Sequence, residues 1–280
     1  MKANTTLVSL LICGLAIVWL PCCLEARLIA YQSFTEGAGT ENPDVSQENA
    51  TGKPVGEGGS GFQKLKMLGK RQPLVVTSQG LSYQTGEVAL SVEGNAIEVP
   101  GGISPMLLIY TPYPGDPFAE LRSVEDPKVF GRPGTSLWLS CLMRVKGEIS
   151  PSMLMVIKLG SSPINLGLAY NEKAAAPFIR LISSSTKVVG QDDHTYLFVA
   201  RIEYGPKAMP GDRTDTIQVW IDPRLGTSEP PTPPQAIVDK LSAPFSGVWF
   251  ERDTLDAKTT VIVDEIRLGE SYADVTPVSK

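Results

Sequence analysis

An all-β fold, an antiparallel two-sheet jelly-roll sandwich, is predicted by three features of this 280-residue sequence. Its 26 glycines and 23 prolines are spread so evenly that no window of 12 or more residues keeps a helical period free of breakers. About eleven runs of strand length, rich in β-branched and aromatic residues, succeed one another between turn residues. These runs neither recur at a solenoid period nor alternate with helical segments, which leaves a sandwich or jelly roll.

Taken from the N-terminus, residues 1–26 read as a signal peptide. Lys2 supplies a thin positive start, LVSLLICGLAIVWLP (7–21) an apolar core, and Leu24-Glu25-Ala26 a small-residue cleavage site. That core, at about 15 residues, is short of the roughly 20 that a membrane-spanning helix needs. The expectation is an exported chain, periplasmic, cell-surface or extracellular, cleaved near Ala26, with residues 27–280 as one jelly-roll domain. Lipid anchoring at Cys22 or Cys23 is the weaker alternative, because Pro21 and Cys22 replace the small residue that lipidation requires before its cysteine. Retention of the segment as an uncleaved anchor is a further one.

Cleavage would remove Cys13, Cys22 and Cys23 and leave Cys141 alone, so no internal disulfide could form. Stability must then come from burial, which a chain of this size can supply. Cys141 lies in the apolar run SLWLSCLMRV and is expected as a small buried hydrophobe. The net charge of −5 argues against a nucleic-acid partner, and no polybasic face suits an anionic membrane. The basic cluster QKLKMLGKR (63–71) is expected as a solvated loop or edge.

The predicted strands are LIAYQSF (28–34), LVVTS (74–78), EVALSVE (87–93), SLWLSCLMRV (136–145), MLMVIKLG (153–160), INLGLAY (164–170), FIRLISS (178–184), TYLFVARIEY (195–204), DTIQVWID (215–222), SGVWFER (246–252) and TVIVDEIRLG (260–269). Two stretches stay irregular: the polar, glycine-rich 37–61, and GTSEPPTPP (226–234), whose prolines favour an extended connector.

The hairpin TYLFVARIEYGPKAMPGDRTDTIQVWIDPRLG followed by VIVDEIRLG resembles the concanavalin A-like lectin/glucanase superfamily, in its laminin-G-like branch. Val199 to Tyr204, Val219-Trp220-Ile221-Asp222 and Val263-Asp264-Glu265-Ile266-Arg267-Leu268-Gly269 carry the likeness. ARLIAYQSFTEGAGT and GGSGF resemble exported bacterial proteins of that fold. The resemblance implies a jelly roll and says little about activity.

Strict alternation along VIVDEIRLG would put Val261, Val263, Glu265, Arg267 and Gly269 on one face and Ile262, Asp264, Ile266 and Leu268 on the core side. Asp264 is then expected to accept backbone or hydroxyl donors near a sheet bend, and Glu265 to pair with Arg267. Carboxylates on opposite faces make a poor acid/base dyad.

The sharpest enzymatic pattern is Glu251, Asp253 and Asp256 in ERDTLD. Glucanases of the superfamily carry Glu-x-Asp-x-x-Glu on one strand, with the outer carboxylates roughly 5 Å apart for retaining hydrolysis. Here the last position is Asp and TLDAK reads as a turn, so a solvated hairpin loop is the stronger reading. GEGGSG (56–61) spells a dinucleotide fingerprint but opens no helix, and Ser184–Lys187 spells S-x-x-K but reads as a hairpin tip. The single histidine, His194, has no second imidazole for zinc and is expected as a loop residue. The resemblance makes calcium possible, with Asp212, Asp215, Asp192 and Asp193 as weak candidate ligands; turn-forming acids without metal remain the stronger reading.

A sugar stacks its C–H face on an aromatic ring while its hydroxyls bond to polar neighbours. Tyr110, Tyr113 and Phe118 in the loop IYTPYPGDPF, joined by Trp249, are the candidate platform; packing of Trp138, Trp220 and Trp249 in the core or between the sheets, and of the loop tyrosines, is the competing and stronger reading. The function expected is therefore a non-enzymatic domain recognising carbohydrate or other cell-surface ligands through rim loops. A retaining glycosidase acting on β-glucans is the alternative, and a structural envelope or surface protein the third reading.

Overall fold

Runs such as SLWLSCLMRV are apolar at nearly every position, which suits a strand covered on both faces and not one with a wet side. The computed structural model describes residues 27–35, 61–68, 75–99, 104–109, 111–147, 154–159, 165–171, 174–181, 184–187, 193–206, 214–252 and 259–279. The expected signal peptide with Cys22 and Cys23, and nearly all of the glycine-rich stretch 37–61, lie outside these residues. Among the described residues no helix is long and apolar enough to cross a membrane.

One sheet comprises β1 (Leu28–Gln32), β3 (Val75–Val76), β6 (Ile97–Val99), β8 (Ser136–Gly147), β13 (Thr195–Glu203), β14 (Asp215–Ile221), β15 (Ala236–Leu241) and β17 (Thr259–Gly269). Its order is β15-β14-β13-β8-β17-β6-β3, with β1 also on β17. The second comprises β2 (Phe62–Leu68), β7 (Ser104–Ile109), β9 (Leu154–Leu159), β10 (Asn165–Asn171), β11 (Ala174–Leu181), β12 (Ser184–Lys187) and β16 (Gly247–Arg252), in the order β12-β11-β10-β9-β16-β7-β2. β4 (Gln84–Thr85) and β5 (Val88–Ala89) form a small hairpin, and α1 (Tyr272–Val275) is a single helical turn. The protein is thus the all-β, antiparallel two-sheet jelly roll that the sequence predicts. Each of the eleven predicted runs contains or overlaps a strand.

The main core fills the space between the sheets. Leu137, Leu139, Cys141, Met143 and Val145 of β8 point there, with Phe198, Ala200 and Ile202 of β13, Val219 and Ile221 of β14, and Val248 and Phe250 of β16. Burial pushes the Cys141 thiol well up from its ordinary value, which keeps it an inert thiol. Trp138 and Leu142 of β8, Leu197 and Val199 of β13 and Trp220 of β14 face the other way, into a second cluster with Leu81, Tyr83, Leu225, Tyr272 and Val275. Trp138 and Trp220 stack at 5.5 Å, and Tyr272 meets Trp138 edge-on at 5.6 Å. This outer layer explains why the run is apolar on both faces. Each large side chain fully withdrawn from water contributes about 1.5–3 kcal/mol.

Two close approaches seat the N-terminal strand and the outer layer. Gly61 sits at φ +75°, where a Cβ would come 2.1 Å from the Ile29 carbonyl oxygen, so only glycine passes beside β1. A Cβ at Gly80 would come 2.9 Å from Asp264 Oδ2. α1 is closed by a capping box: Ser271 Oγ accepts from Asp274 N at 3.2 Å, and Asp274 Oδ2 accepts from Ser271 N at 2.7 Å.

β17 corrects the expectation of strict alternation. Its register against β8 slips between Asp264 and Arg267, and Glu265 adopts φ +51°, so a β-bulge reverses the phase of the strand. Val261, Val263, Ile266 and Leu268 consequently all reach the main core, while Ile262 faces the outer cluster. Asp264 is fully buried on that outer side and not among the core-facing residues. Its Oδ2 accepts from Leu81 N and its Oδ1 from Glu265 N, both at 2.8 Å. Glu265 forms an ion pair with Arg267, as expected, and also accepts from Glu93 N at 2.7 Å and Tyr31 Oη at 3.0 Å.

Five further strands, β2, β4, β6, β7 and β15, lie outside the eleven runs, and β12 is a correction. Residues 63–68 of the basic cluster lie in the edge strand β2, within the loop-or-edge expectation, and 69–71 lie outside the described residues. The sequence reading passed over β6 and β15, and also over β7, although PMLLI is an apolar run of strand length. Ser184–Lys187 is not a hairpin tip: it is β12, whose register against Leu181–Phe178 makes it the other edge of that sheet. Its hydroxyl-rich sequence has no apolar alternation to announce a strand.

Burial first and the nearby Glu265 second push the Asp264 carboxyl up from 3.8 to about 8, against the pull of its two N–H donors and Arg267. The folded chain therefore holds a proton over a window in which the unfolded chain has lost it. The resulting stability is complete below about pH 4, declines as pH rises and is gone above about pH 8. The urea midpoint is expected to fall across that window. Asp264→Asn, with one acceptor oxygen for two N–H donors, is expected to cost about 1–3 kcal/mol at low pH and to show a shallower fall.

Candidate functional site

At the end of β14 the sequence WIDPR turns the chain out of the sheet. Asp222 takes φ +51°, a left-handed conformation that Asp tolerates better than most residues. Its N–H donates to Leu197 O at 2.8 Å and its Oδ1 accepts from Leu197 N at 2.8 Å, so the side chain extends the β13–β14 ladder by one step. Oδ2 lies 2.8 Å from His194 Nε2, and the His194 ring meets Tyr196 edge-on at 4.4 Å. His194 is thus the loop residue expected, sitting just before β13, and is also a partner of this turn.

The loop that follows is held at both ends by side chains, of which those of Tyr83, Tyr272 and Trp220 are buried. Tyr83 Oη donates to Pro223 O at 3.1 Å, Tyr272 Oη to Arg224 O at 2.8 Å, and Leu225 N to Thr85 Oγ1 at 2.9 Å. On the return, Trp220 Nε1 donates to Thr232 O at 2.9 Å. The Gln235 amide brackets Ile221, accepting from its N–H at 3.2 Å and donating to its carbonyl at 2.9 Å. The irregular, proline-rich stretch 226–234 thus belongs to a fixed loop.

Between this loop and the β4–β5 hairpin lies an open cleft of about 880 Å³. Val88, Pro233 and Pro234 give it apolar walls; Thr85, Glu87, Asp222, Arg224 and Gln235 give it polar ones. Glu87 and Arg224 are exposed, while the Asp222 side chain is 30% exposed and the His194 side chain 39%. Burial raises the Asp222 carboxyl, opposed by the Leu197 N–H and by His194. The arrangement offers a ligand both hydroxyl partners and an apolar surface.

The residues singled out from sequence are scattered. Trp249 lies in β16 between Val248 and Phe250, which are buried in the main core, so it sits half-buried on the outer face of the seven-stranded sheet. Its register neighbours are Lys158 of β9 and Met106 of β7. Glu251 follows in the same strand, opposite Val156. Asp253, Asp256, Tyr110, Asp212 and Asp192 lie outside the described residues. Tyr113 is half-buried and packed against the main core, and Phe118 is buried, so neither offers the exposed ring face expected. The loop around them folds about Asp116, which accepts from Phe118 N at 3.0 Å and from Arg122 Nε at 2.8 Å.

Asp215 does not suit a metal. It is fully buried, with Oδ1 accepting from Gly205 N at 3.2 Å and Oδ2 from Ala243 N at 2.7 Å. Asp193 is exposed, 3.8 Å from Arg144. Among the described residues no group of three or more His, Cys, Asp or Glu side chains could hold a metal ion. The sequence reading missed Glu87, Asp222, Arg224 and Gln235 as cleft residues. Only Asp222 carried a local signal, an Asp-Pro step that starts a turn.

No protein-family model matches the chain, and no curated protein matches it. Solved structures to which it is similar include a glycosyl hydrolase family protein from Mycobacterium fortuitum, with a TM-score of 0.43 and 12% identity over 86% of this chain and 99% of that one. Another is domain 4 of AbnA, an extracellular arabinanase from Geobacillus stearothermophilus, in complex with arabinotriose, with a TM-score of 0.41 and 12% identity over 88% and 93%. A third is the binding domain of botulinum neurotoxin DC in complex with SialylT, with a TM-score of 0.37 and 9% identity over 75% and 48%. The chain spans about half the length of the toxin domains it matches.

Asp222→Ala removes the acceptor for Leu197 N and places a Cβ-bearing residue without a local hydrogen bond at positive φ. It is expected to cost about 1–3 kcal/mol in urea unfolding. Asp222→Asn keeps Oδ1 and tolerates the φ, and is expected to cost less than about 1 kcal/mol.

Proposed function

We propose that the protein is an exported jelly-roll domain that recognises carbohydrate without cleaving it, and that the rim cleft beside Asp222 binds the sugar. The observation that carries this reading is the cleft's mixed lining on pre-fixed walls. A pyranose presents apolar C–H patches and a ring of hydroxyls; Val88, Pro233 and Pro234 suit the first, and Glu87, Arg224, Asp222 and Thr85 the second. Because Tyr83, Tyr272, Trp220 and Gln235 already hold the loop, little ordering entropy is left to lose on binding. Both oxygens of Asp222 are occupied, by Leu197 N and His194, which favours a scaffolding role over proton transfer. Trp249, half-buried on the outer face of the other sheet, is the second place at which a sugar ring could stack.

Export follows in this reading from residues 1–26, and the ligand is then a glycan met outside the cytoplasm. The test is retention on a panel of immobilised polysaccharides, with and without a calcium chelator. Saturable binding is expected to fall about tenfold or more in Glu87→Ala plus Arg224→Ala. Loss in Trp249→Ala with the double variant unaffected would move the site to the sheet face. Release of reducing sugar, abolished by Glu251→Gln, would replace this reading with a hydrolase.

A further inference from the structure

The register of the seven-stranded sheet gathers charge that the sequence keeps apart. Trp249 belongs to its outer face, and residues directly opposite one another on neighbouring strands share a face. Trp249 stands opposite Met106 and Lys158, and Met106 stands opposite Lys66. Lys158 stands opposite Asn165, and Asn165 opposite Arg180. A single row, about 24 Å long at about 4.8 Å per strand, therefore crosses the sheet from Lys66 through Trp249 and Lys158 to Arg180.

Positions two residues along a strand return to the same face. They add Lys64 opposite Leu108, Glu251 opposite Val156, and Phe178 opposite Lys187. The described positions of this face thus hold five cations, Lys64, Lys66, Lys158, Arg180 and Lys187, and one acid, Glu251, in a chain whose net charge is −5. Lys64 and Lys66 belong to the edge strand β2, Arg180 and Lys187 to β11 and β12 at the opposite edge. Met106, Leu108, Trp249 and Val156 occupy the strands between. No polybasic face is visible in the sequence because these cations come from four strands spread from position 64 to 187; the sheet assembles one, which corrects that expectation.

We propose that this face docks on an anionic phospholipid bilayer, with Trp249 and its apolar neighbours at headgroup depth and the five cations on the lipid phosphates. The mixture of residue types decides the partner. A polyanion in water, whether nucleic acid or a polyuronate, draws on the cations and leaves Met106, Leu108 and Val156 without a role. A charged bilayer takes both, since binding there grows with apolar area and with attraction to anionic lipid. Lysine and arginine lay their stems along apolar surface while their heads reach the phosphates, and tryptophan favours the headgroup level. The rim cleft lies on loops of the other sheet, so this inference does not rest on the carbohydrate reading.

The test is co-sedimentation of the chain from Arg27 onward, which holds every described strand, with vesicles of phosphatidylglycerol and phosphatidylcholine in equal parts; vesicles of phosphatidylcholine alone are the control. Binding to the mixed vesicles only, lost at high salt and accompanied by a blue shift of tryptophan emission, is expected. Trp138 and Trp220 are 2% and 4% exposed, so that shift reports on Trp249. Lys66→Gln plus Lys158→Gln is expected to weaken binding about twenty-five-fold, about fivefold for each charge, with the melting temperature unchanged. Glu251→Gln removes the one acid and is expected to strengthen binding, a gain that misfolding does not imitate. The proposal is overturned if the two vesicle types behave alike, if the lysine pair has no effect, or if a polyuronate is retained with the same lysine dependence while the vesicles are not bound. Glu87→Ala plus Arg224→Ala is expected to leave vesicle binding unchanged, which separates failure here from failure of the rim cleft.

Discussion

The bulge in β17 is the constraint on which the rest of the molecule depends. Two carboxylates enter the interior at consecutive positions, and each is tolerable there only because backbone N–H groups or a guanidinium meet it. Asp264 draws in Leu81, and Glu265 draws in Glu93, Tyr31 and Arg267. One edge of β17 is thereby divided between two short strands, β6 beside Val261–Val263 and β1 beside Ile266–Gly269. The residues between Leu81 and Glu93 are laid over the outer face of the sheet as a result. Removing either member of the Glu265–Arg267 pair would leave the other buried and uncompensated, a much larger penalty than the pair itself relieves.

That overlay makes a third layer, and the third layer makes the cleft. Leu81, Tyr83 and Leu90 cover Trp138, Trp220 and Leu197, and α1 adds Tyr272 and Val275. The two tyrosines of this layer direct their hydroxyls at the carbonyls of Pro223 and Arg224. A loop with no regular structure is consequently tied at its ends by groups whose rings lie in a core. The same economy appears at the other end of β13, where Arg201 rests on Trp138 of that layer.

How much of this was legible in the sequence differs by element. The eleven runs could be read because β-branched and aromatic residues between turn signals mark strands whatever their partners. β12 and β15 could not, since edge strands are held by backbone pairing on one side and their side chains are free to be polar, as the hydroxyls of Ser184–Lys187 show. Alternation failed along VIVDEIRLG for a related reason. A bulge changes the phase without changing composition, and the Asp-Glu pair that induces it looks the same in a straight strand. Phe118 and Tyr113 read as an exposed platform because nothing local shows that Asp116 and Arg122 fold their loop onto the core.

What the sequence by itself determined was the class of the fold, the strands that carry its core and the burial of Cys141 and Asp264, all of which follow from local composition and from the cost of placing charge in an apolar run. Only the tertiary structure decided which face each residue of β17 serves, that His194 meets Asp222, and that Glu87, Arg224 and Gln235 share one cleft. Those residues come from segments about 140 positions apart, joined by hydrogen bonds such as Thr85 with Leu225. Such contacts depend on how two sheets and their covering layer close, a property of the whole chain that no stretch of it encodes alone.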